Sequence, residues 1–152
     1  MAEMKSELIF EMRATVGEMQ DLGATPHGRR RIVPVTGGTF AGPELKGEVL
    51  PGGGDWLLVR PDGASELDVR ITLRTDDGHL IYVSYRGIVT ASPEIIQRSA
   101  GGKAVDPSEI YFRTAPVFET GAEKYSWLNR IVAVGMGRRT PNAVEYTVYA
   151  VL

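Results

Sequence analysis

Three carboxylates, Asp55, Asp68 and Glu119, and three guanidiniums, Arg30, Arg70 and Arg113, are the side chains of this sequence best suited to chemistry. A carboxylate taken out of water serves as a general acid or base, and an arginine fork holds a carboxylate or an oxyanion. The rings of Trp56, Tyr85 and Trp127 and the amide of Asn129 stand in the same segments and supply walls and hydrogen bonds for a small ligand. Asp55 and Glu119 are the candidate catalytic groups. Arg30, Trp56, Asp68, Arg70, Tyr85, Arg113, Trp127 and Asn129 are the candidate ligand contacts.

Other chemistries lose support from composition. The 152 residues include no cysteine, which removes thiolate ligands, disulfides and a cysteine nucleophile. The two histidines, His27 and His79, both adjoin glycine in turn-like sequence and lie far apart, a poor basis for a metal site. No GxGxxG opens a helix, and no GxxxxGK, GxSxG or HExxH motif occurs. Neither a metal nor a cofactor is expected. Seventeen basic residues against nineteen acidic ones, with no like-charged block longer than Arg29-Arg30-Arg31, lack the footprint of a nucleic-acid binder. The first nineteen residues mix acids and bases into their apolar positions, unlike a signal peptide or a membrane span. A cytoplasmic protein without a membrane partner is the expectation.

The elements that must position these groups read as strands. Eighteen glycines and nine prolines are scattered between short β-rich runs rather than pooled in a linker, so the whole chain, 1–152, reads as one domain. Leu8, Phe10 and Met12 alternate with Glu11 and Arg13, a strand with one buried face. After a turn-rich gap, strands are predicted over 30–40 and 44–50, the latter ending at Pro51. A hairpin joins 67–74 to 80–90 through Asp76-Asp77-Gly78. Ser92 as N-cap, Pro93 at the first helical position and Gly101 beyond the end predict one short helix, a lid or plug. Strands over 110–119, 127–136 and 143–152 complete the set. Eight to nine strands with short connections point to an all-β, antiparallel up-and-down barrel, because a meander of that length must hide its edges.

Side-chain parity suggests where a ligand would sit. Leu67, Val69, Ile71 and Leu73 share the face that must be buried, opposite Glu66, Asp68, Arg70, Thr72 and Arg74. Tyr111, Arg113 and Glu119 share one parity and Phe112 and Phe118 the other, while Trp127 and Asn129 keep step with Ile131 and Ala133. Aromatic rings beside charges suit a polar interior pocket better than open surface, and Arg113 with Glu119 would then belong to one site inside the barrel. A network of structural ion pairs leaves the same signature.

Six ordered phrases add to this reading: Pro26-His27-Gly28-Arg29-Arg30, Gly37-Gly38-Thr39-Phe40-Ala41-Gly42-Pro43, Pro51-Gly52-Gly53-Gly54-Asp55-Trp56, Thr75-Asp76-Asp77-Gly78, Phe118-Glu119-Thr120-Gly121 and Tyr125-Ser126-Trp127-Leu128-Asn129. Together they resemble the domain-of-unknown-function family 3237, over nearly the whole chain from Leu8 to Val151. The resemblance implies a lipocalin-like or calycin-like barrel that assembles as a homo-oligomer, and it implies no established activity. Its motif positions fall here on Arg30, Asp55, Trp56, Glu119, Trp127 and Asn129. Three functions fit: a barrel binding a small molecule; a cofactor-free isomerase, hydratase or lyase with Asp55 or Glu119 as acid or base and Arg70 or Arg113 at an oxyanion; or a structural protein whose strand faces build an oligomer.

Overall fold

Alternation selects the inner face of nearly every strand, and the computed structural model, which describes residues 2–152, closes those faces around a common axis. The strands are β1 (Ser6–Val16), β2 (Gln20–Thr25), β3 (Gly28–Ala41), β4 (Lys46–Val49), β5 (Gly53–Val59), β6 (Ser65–Thr75), β7 (Leu80–Thr90), β8 (Tyr111–Glu119), β9 (Val132–Thr140) and β10 (Ala143–Val151). They hold 60% of the chain, and all pairings are antiparallel. Strand order runs β1-β10-β9-β8-β7-β6, then through β4 and β5 to β3, which returns to β1 and closes the barrel. Strands β4 and β5 share one of eight positions, broken by the turn at Pro51-Gly52. Strand β2 lies off the ring against the first half of β3.

The antiparallel barrel expected from sequence is therefore the observed fold, with two strands that the sequence reading passed over. The turn-rich gap after β1 holds β2, and Gly53 and Gly54 begin β5. Strand β2 is rich in polar residues and β5 opens on two glycines and an aspartate, so the ladders with β3 extend both strands through residues of low strand propensity.

Leu67, Val69, Ile71 and Leu73 are all buried, as their parity requires. Strand β1 departs from strict alternation. A bulge between Leu8 and Phe10 buries Ile9 and Phe10 in succession and turns Leu8 toward solvent. Strands β1 and β3 then cross so closely that a Cβ at Gly38, whose φ is +136°, would stand 2.0 Å from the Arg13 carbonyl oxygen. In β9, a Cβ at Gly137 would meet the Phe112 ring at 2.5 Å, so the missing side chain is the space that Phe112 fills.

One end of the barrel is packed shut. Phe10 meets Phe40 and Phe118 edge-on at centroid distances of 5.4 and 6.0 Å. Below them lies a 3-10 helix, Glu123–Arg130, which drives Tyr125 and the fully buried Leu128 into the core. The Asp77 carboxylate in the β6–β7 turn accepts 2.9 Å hydrogen bonds from Lys124 Nζ and Tyr125 Oη. This helix corrects the strand predicted from Trp127: β9 begins only at Val132. Helix α1 (Pro93–Ala100) has the predicted caps, Ser92 accepting from the Ile95 N–H and Gly101 at the C-terminus. Among the described residues no helix is long and apolar enough to cross a membrane.

Candidate active site

At the other end the inner residues are smaller and the barrel is hollow. A cavity of about 270 Å³ has its apolar walls from Ala14, Val16, Val33, Val35, Leu57 and Val69. Asp55 projects into it from β5, and Tyr85 from β7 and Tyr146 from β10 form its floor. Arg31 from β3 and Arg139 from the end of β9 stand at its rim. No residue of α1 lines this space, so the helix is not the lid expected of it, and the role of plug falls to the 3-10 helix at the far end.

Asp55 is held by the sheet itself. The β5–β6 ladder pairs Gly54 with Arg70 and Asp55 with Val69, resumes at Leu58 and Glu66, and leaves Trp56 and Leu57 unpaired between them. In this gap the Asp68 N–H donates to Asp55 Oδ1 at 3.0 Å. Burial outweighs that hydrogen bond and the more distant charge of Arg139, and it pushes the Asp55 carboxyl up to about 6. Both protonation states are thus populated near neutral pH, as a residue that moves a proton requires. Tyr85 and Tyr146 lie with ring centroids 5.4 Å apart and are both buried. Burial first, with a smaller contribution from the Asp55 charge, holds both phenols well above their ordinary value. They remain protonated and can only donate or accept hydrogen bonds.

Of the residues singled out from sequence, the fold brings Asp55 and Tyr85 into this cavity and leaves the others outside. The polar parity of the strands is the outer face, because the barrel interior is filled by the apolar set. Arg113 lies outside, its guanidinium bonded to the Phe112 carbonyl at 2.9 Å and stacked 5.2 Å from the Tyr111 ring. Glu119 is exposed opposite Tyr82, and the expectation that Arg113 and Glu119 belong to one site inside the barrel is corrected. Pro116 between them points inward, in a stretch of β8 that makes no ladder with β9 beyond Thr114.

Asp68 directs its carboxylate to Arg86 at 3.2 Å, and Arg70 is exposed. Arg30 donates to the Trp56 carbonyl at 2.9 Å, and Trp56 is 38% exposed on the outer face. Trp127 packs half-buried against the core at the closed end. Asn129 bonds both backbone groups of Thr120.

Tyr146, Arg31 and Arg139 were missed. Each had a parity signal: Tyr146 keeps step with Val144, Val148 and Ala150, Arg31 with Val33 and Val35, and Arg139 with Ala133, Gly135 and Gly137. A charged residue on an apolar face is the informative exception.

A larger, more open groove of about 900 Å³ runs over the outside of β1, β9 and β10. Three of its charges are spent on one another, Arg138 bonding Glu145 at 2.7 Å and Arg13 lying 3.9 Å from the same carboxylate. The interior cavity is therefore the better candidate.

Comparison with known proteins places this arrangement in a wider set. UPF0311 protein RPA1785 of Rhodopseudomonas palustris is 37% identical over 149 residues, 98% of this chain and 97% of that protein. Its crystal structure, described as a conserved protein of unknown function, superposes with a TM-score of 0.93 over the full length of both chains. A β-barrel-like protein from Acinetobacter baumannii is 40% identical with a TM-score of 0.88, covering 99% of this chain and 98% of the other. The hydroalkoxylation enzyme phnH of Penicillium herquei is 29% identical over 130 residues, 85% of this chain and 71% of that protein. The crystal structure of an enzyme from the same fungus matches with a TM-score of 0.72 at 25% identity, covering 99% and 96%. The model of the family described as protein of unknown function (DUF3237) matches residues 4–151, and this chain belongs to that family.

Proposed function

We propose that this protein is a cofactor-free enzyme that binds a small, largely apolar molecule in the barrel and moves a proton on it with Asp55. The observation that carries this reading is a carboxyl pushed up to about 6 inside a walled cavity, beside two phenols that stay protonated. A distant relative named as a hydroalkoxylation enzyme supports the reaction class. Addition of an O–H group across a C=C bond within one molecule is an isomerisation. Asp55 in its acid form gives its proton to one alkene carbon, the substrate hydroxyl oxygen bonds to the other, and the hydroxyl proton returns to the Asp55 carboxylate. Electrons and atoms balance without a redox partner. The apolar walls keep competing water out, and Tyr85 and Tyr146 orient the substrate oxygen through their hydroxyls.

The test is a panel of hydroxyl-bearing alkenes incubated with the protein in D2O and followed by mass spectrometry for one deuterium gained at carbon in a product that is otherwise an isomer of the substrate. Activity should fall as the pH rises through about 6, since the acid form of Asp55 starts the reaction. Asp55→Asn should reduce it by at least about a hundredfold. A wild-type rate in Asp55→Asn, or a flat profile between about pH 5 and 7, would overturn the assignment.

A further inference from the structure

The cavity has two cations at its mouth that the proton chemistry of Asp55 does not use. Arg31 lies on the inner parity of β3, and its Nε is buried without a hydrogen-bond partner. The nearest acid, Asp21, is 3.7 Å away through Oδ2, and that oxygen is already taken by Arg29, whose Nε and Nη2 approach it at 3.1 and 2.8 Å. Arg139 lines the same cavity from β9 and takes part in no hydrogen bond or ion pair among the described residues. Its guanidinium lies 5.9 Å from the Phe112 ring centroid. Most other arginines of the barrel behave differently: Arg29, Arg60, Arg74, Arg86, Arg98 and Arg138 all have a carboxylate partner within 3.3 Å.

Arg31 thus keeps only a long ion pair with an oxygen that Arg29 already holds, and Arg139 keeps none, so no carboxylate of the barrel closes either guanidinium fork. We infer that Arg31 and Arg139 form an anion subsite, and that the molecule taken by the barrel carries a carboxylate at the rim and an apolar body that reaches toward Asp55. A carboxylate offers two acceptor oxygens to the two forks, and the apolar walls below accept a ring or branched hydrocarbon but no second charge. This deepens the proposed function, on which it rests for the direction of the ligand, and its test is independent of turnover.

The probe is 1-naphthoate, with neutral 1-naphthalenemethanol as its counterpart, titrated by calorimetry. Wild-type protein should bind 1-naphthoate at least about tenfold more tightly than the alcohol. In Arg31→Gln/Arg139→Gln that preference should disappear, with affinity for the alcohol changed by less than about twofold. Raising the salt concentration should weaken only the acid. Asp55→Asn should bind 1-naphthoate at least as tightly as wild type, because a negative charge is removed from the same cavity. Loss of turnover in Asp55→Asn together with equal binding of acid and alcohol by the wild type would overturn the anion subsite and leave the Asp55 chemistry standing. Unchanged acid preference in the double variant, or no binding of 1-naphthoate up to about 5 mM, would also overturn it. If the double variant unfolds, Arg31→Lys and Arg139→Lys replace it: charge is kept and the fork lost, and a several-fold weaker acid binding is expected.

Discussion

The two ends of this barrel are built from the same strands and treat polar groups in opposite ways. At the closed end, Phe10, Phe40, Phe118 and Leu128 fill the interior, and the Asp77 carboxylate is met by Lys124 and Tyr125. The Thr75 hydroxyl and the Lys124 ammonium hold that carboxyl below the usual range. At the open end, small side chains leave a void, the Asp55 carboxyl is held above its usual range, and the Arg31 Nε has no hydrogen-bond partner. Packing and polar satisfaction are concentrated at the closed end. Unfavourable placement is concentrated around the cavity, the pattern of a fold that gives up part of its stability at a site, and this agrees with the function proposed above.

The contrast breaks most readily at the closed end. Leu128→Ala should lose about 3 kcal/mol of stability, read as the shift in urea midpoint, because a fully buried leucine leaves a hole that the rigid barrel cannot collapse. A loss under about 1 kcal/mol would show that the plug is dispensable.

The next effect belongs to Asp55. Its native value of about 6 lies above the ordinary 3.8, so the folded state binds the proton more tightly than the unfolded chain. That contribution is fully present below about pH 4 and is lost as the pH rises through about 6. Relative to Asp55→Asn, which does not titrate, the wild type should therefore weaken by up to about 2 kcal/mol between about pH 4 and 7, allowing for residual solvent contact. Urea unfolding of both proteins at several pH values checks the sign, and parallel curves would place the carboxyl in water.

Tyr125→Phe should cost about 1 kcal/mol, the size of one hydrogen bond to a charged acceptor that solvent still reaches. Thermal unfolding measures it. Asp55 titration, followed by carboxyl NMR, should be untouched by a change at the far end. The smallest effect is expected for Arg113→Lys, outside the barrel: under about 0.5 kcal/mol in stability and no change in 1-naphthoate affinity.

Much of the scaffold was legible in the residues themselves. The alternation of Leu67, Val69, Ile71 and Leu73, the Asp77-Gly78 turn and the Ser92-Pro93 helix start are local signals, and each appears in the structure where the sequence places it. Asp55 and Tyr85 were also recognisable as candidates, and both line the cavity. Local patterning determines which side chains share a face of a strand, because the pleat has a period of two. It does not determine whether the polar face turns inward or outward, and for Arg113 and Glu119 the closed ring turned it outward. Nor does it show which distant residues meet. Asp55, Tyr85 and Tyr146, and the rim pair Arg31 and Arg139, come from different strands, and only closure of β3 onto β1 brings them around one space. The raised Asp55 carboxyl is likewise a tertiary property, since desolvation depends on what surrounds a group and not on its neighbours in the chain.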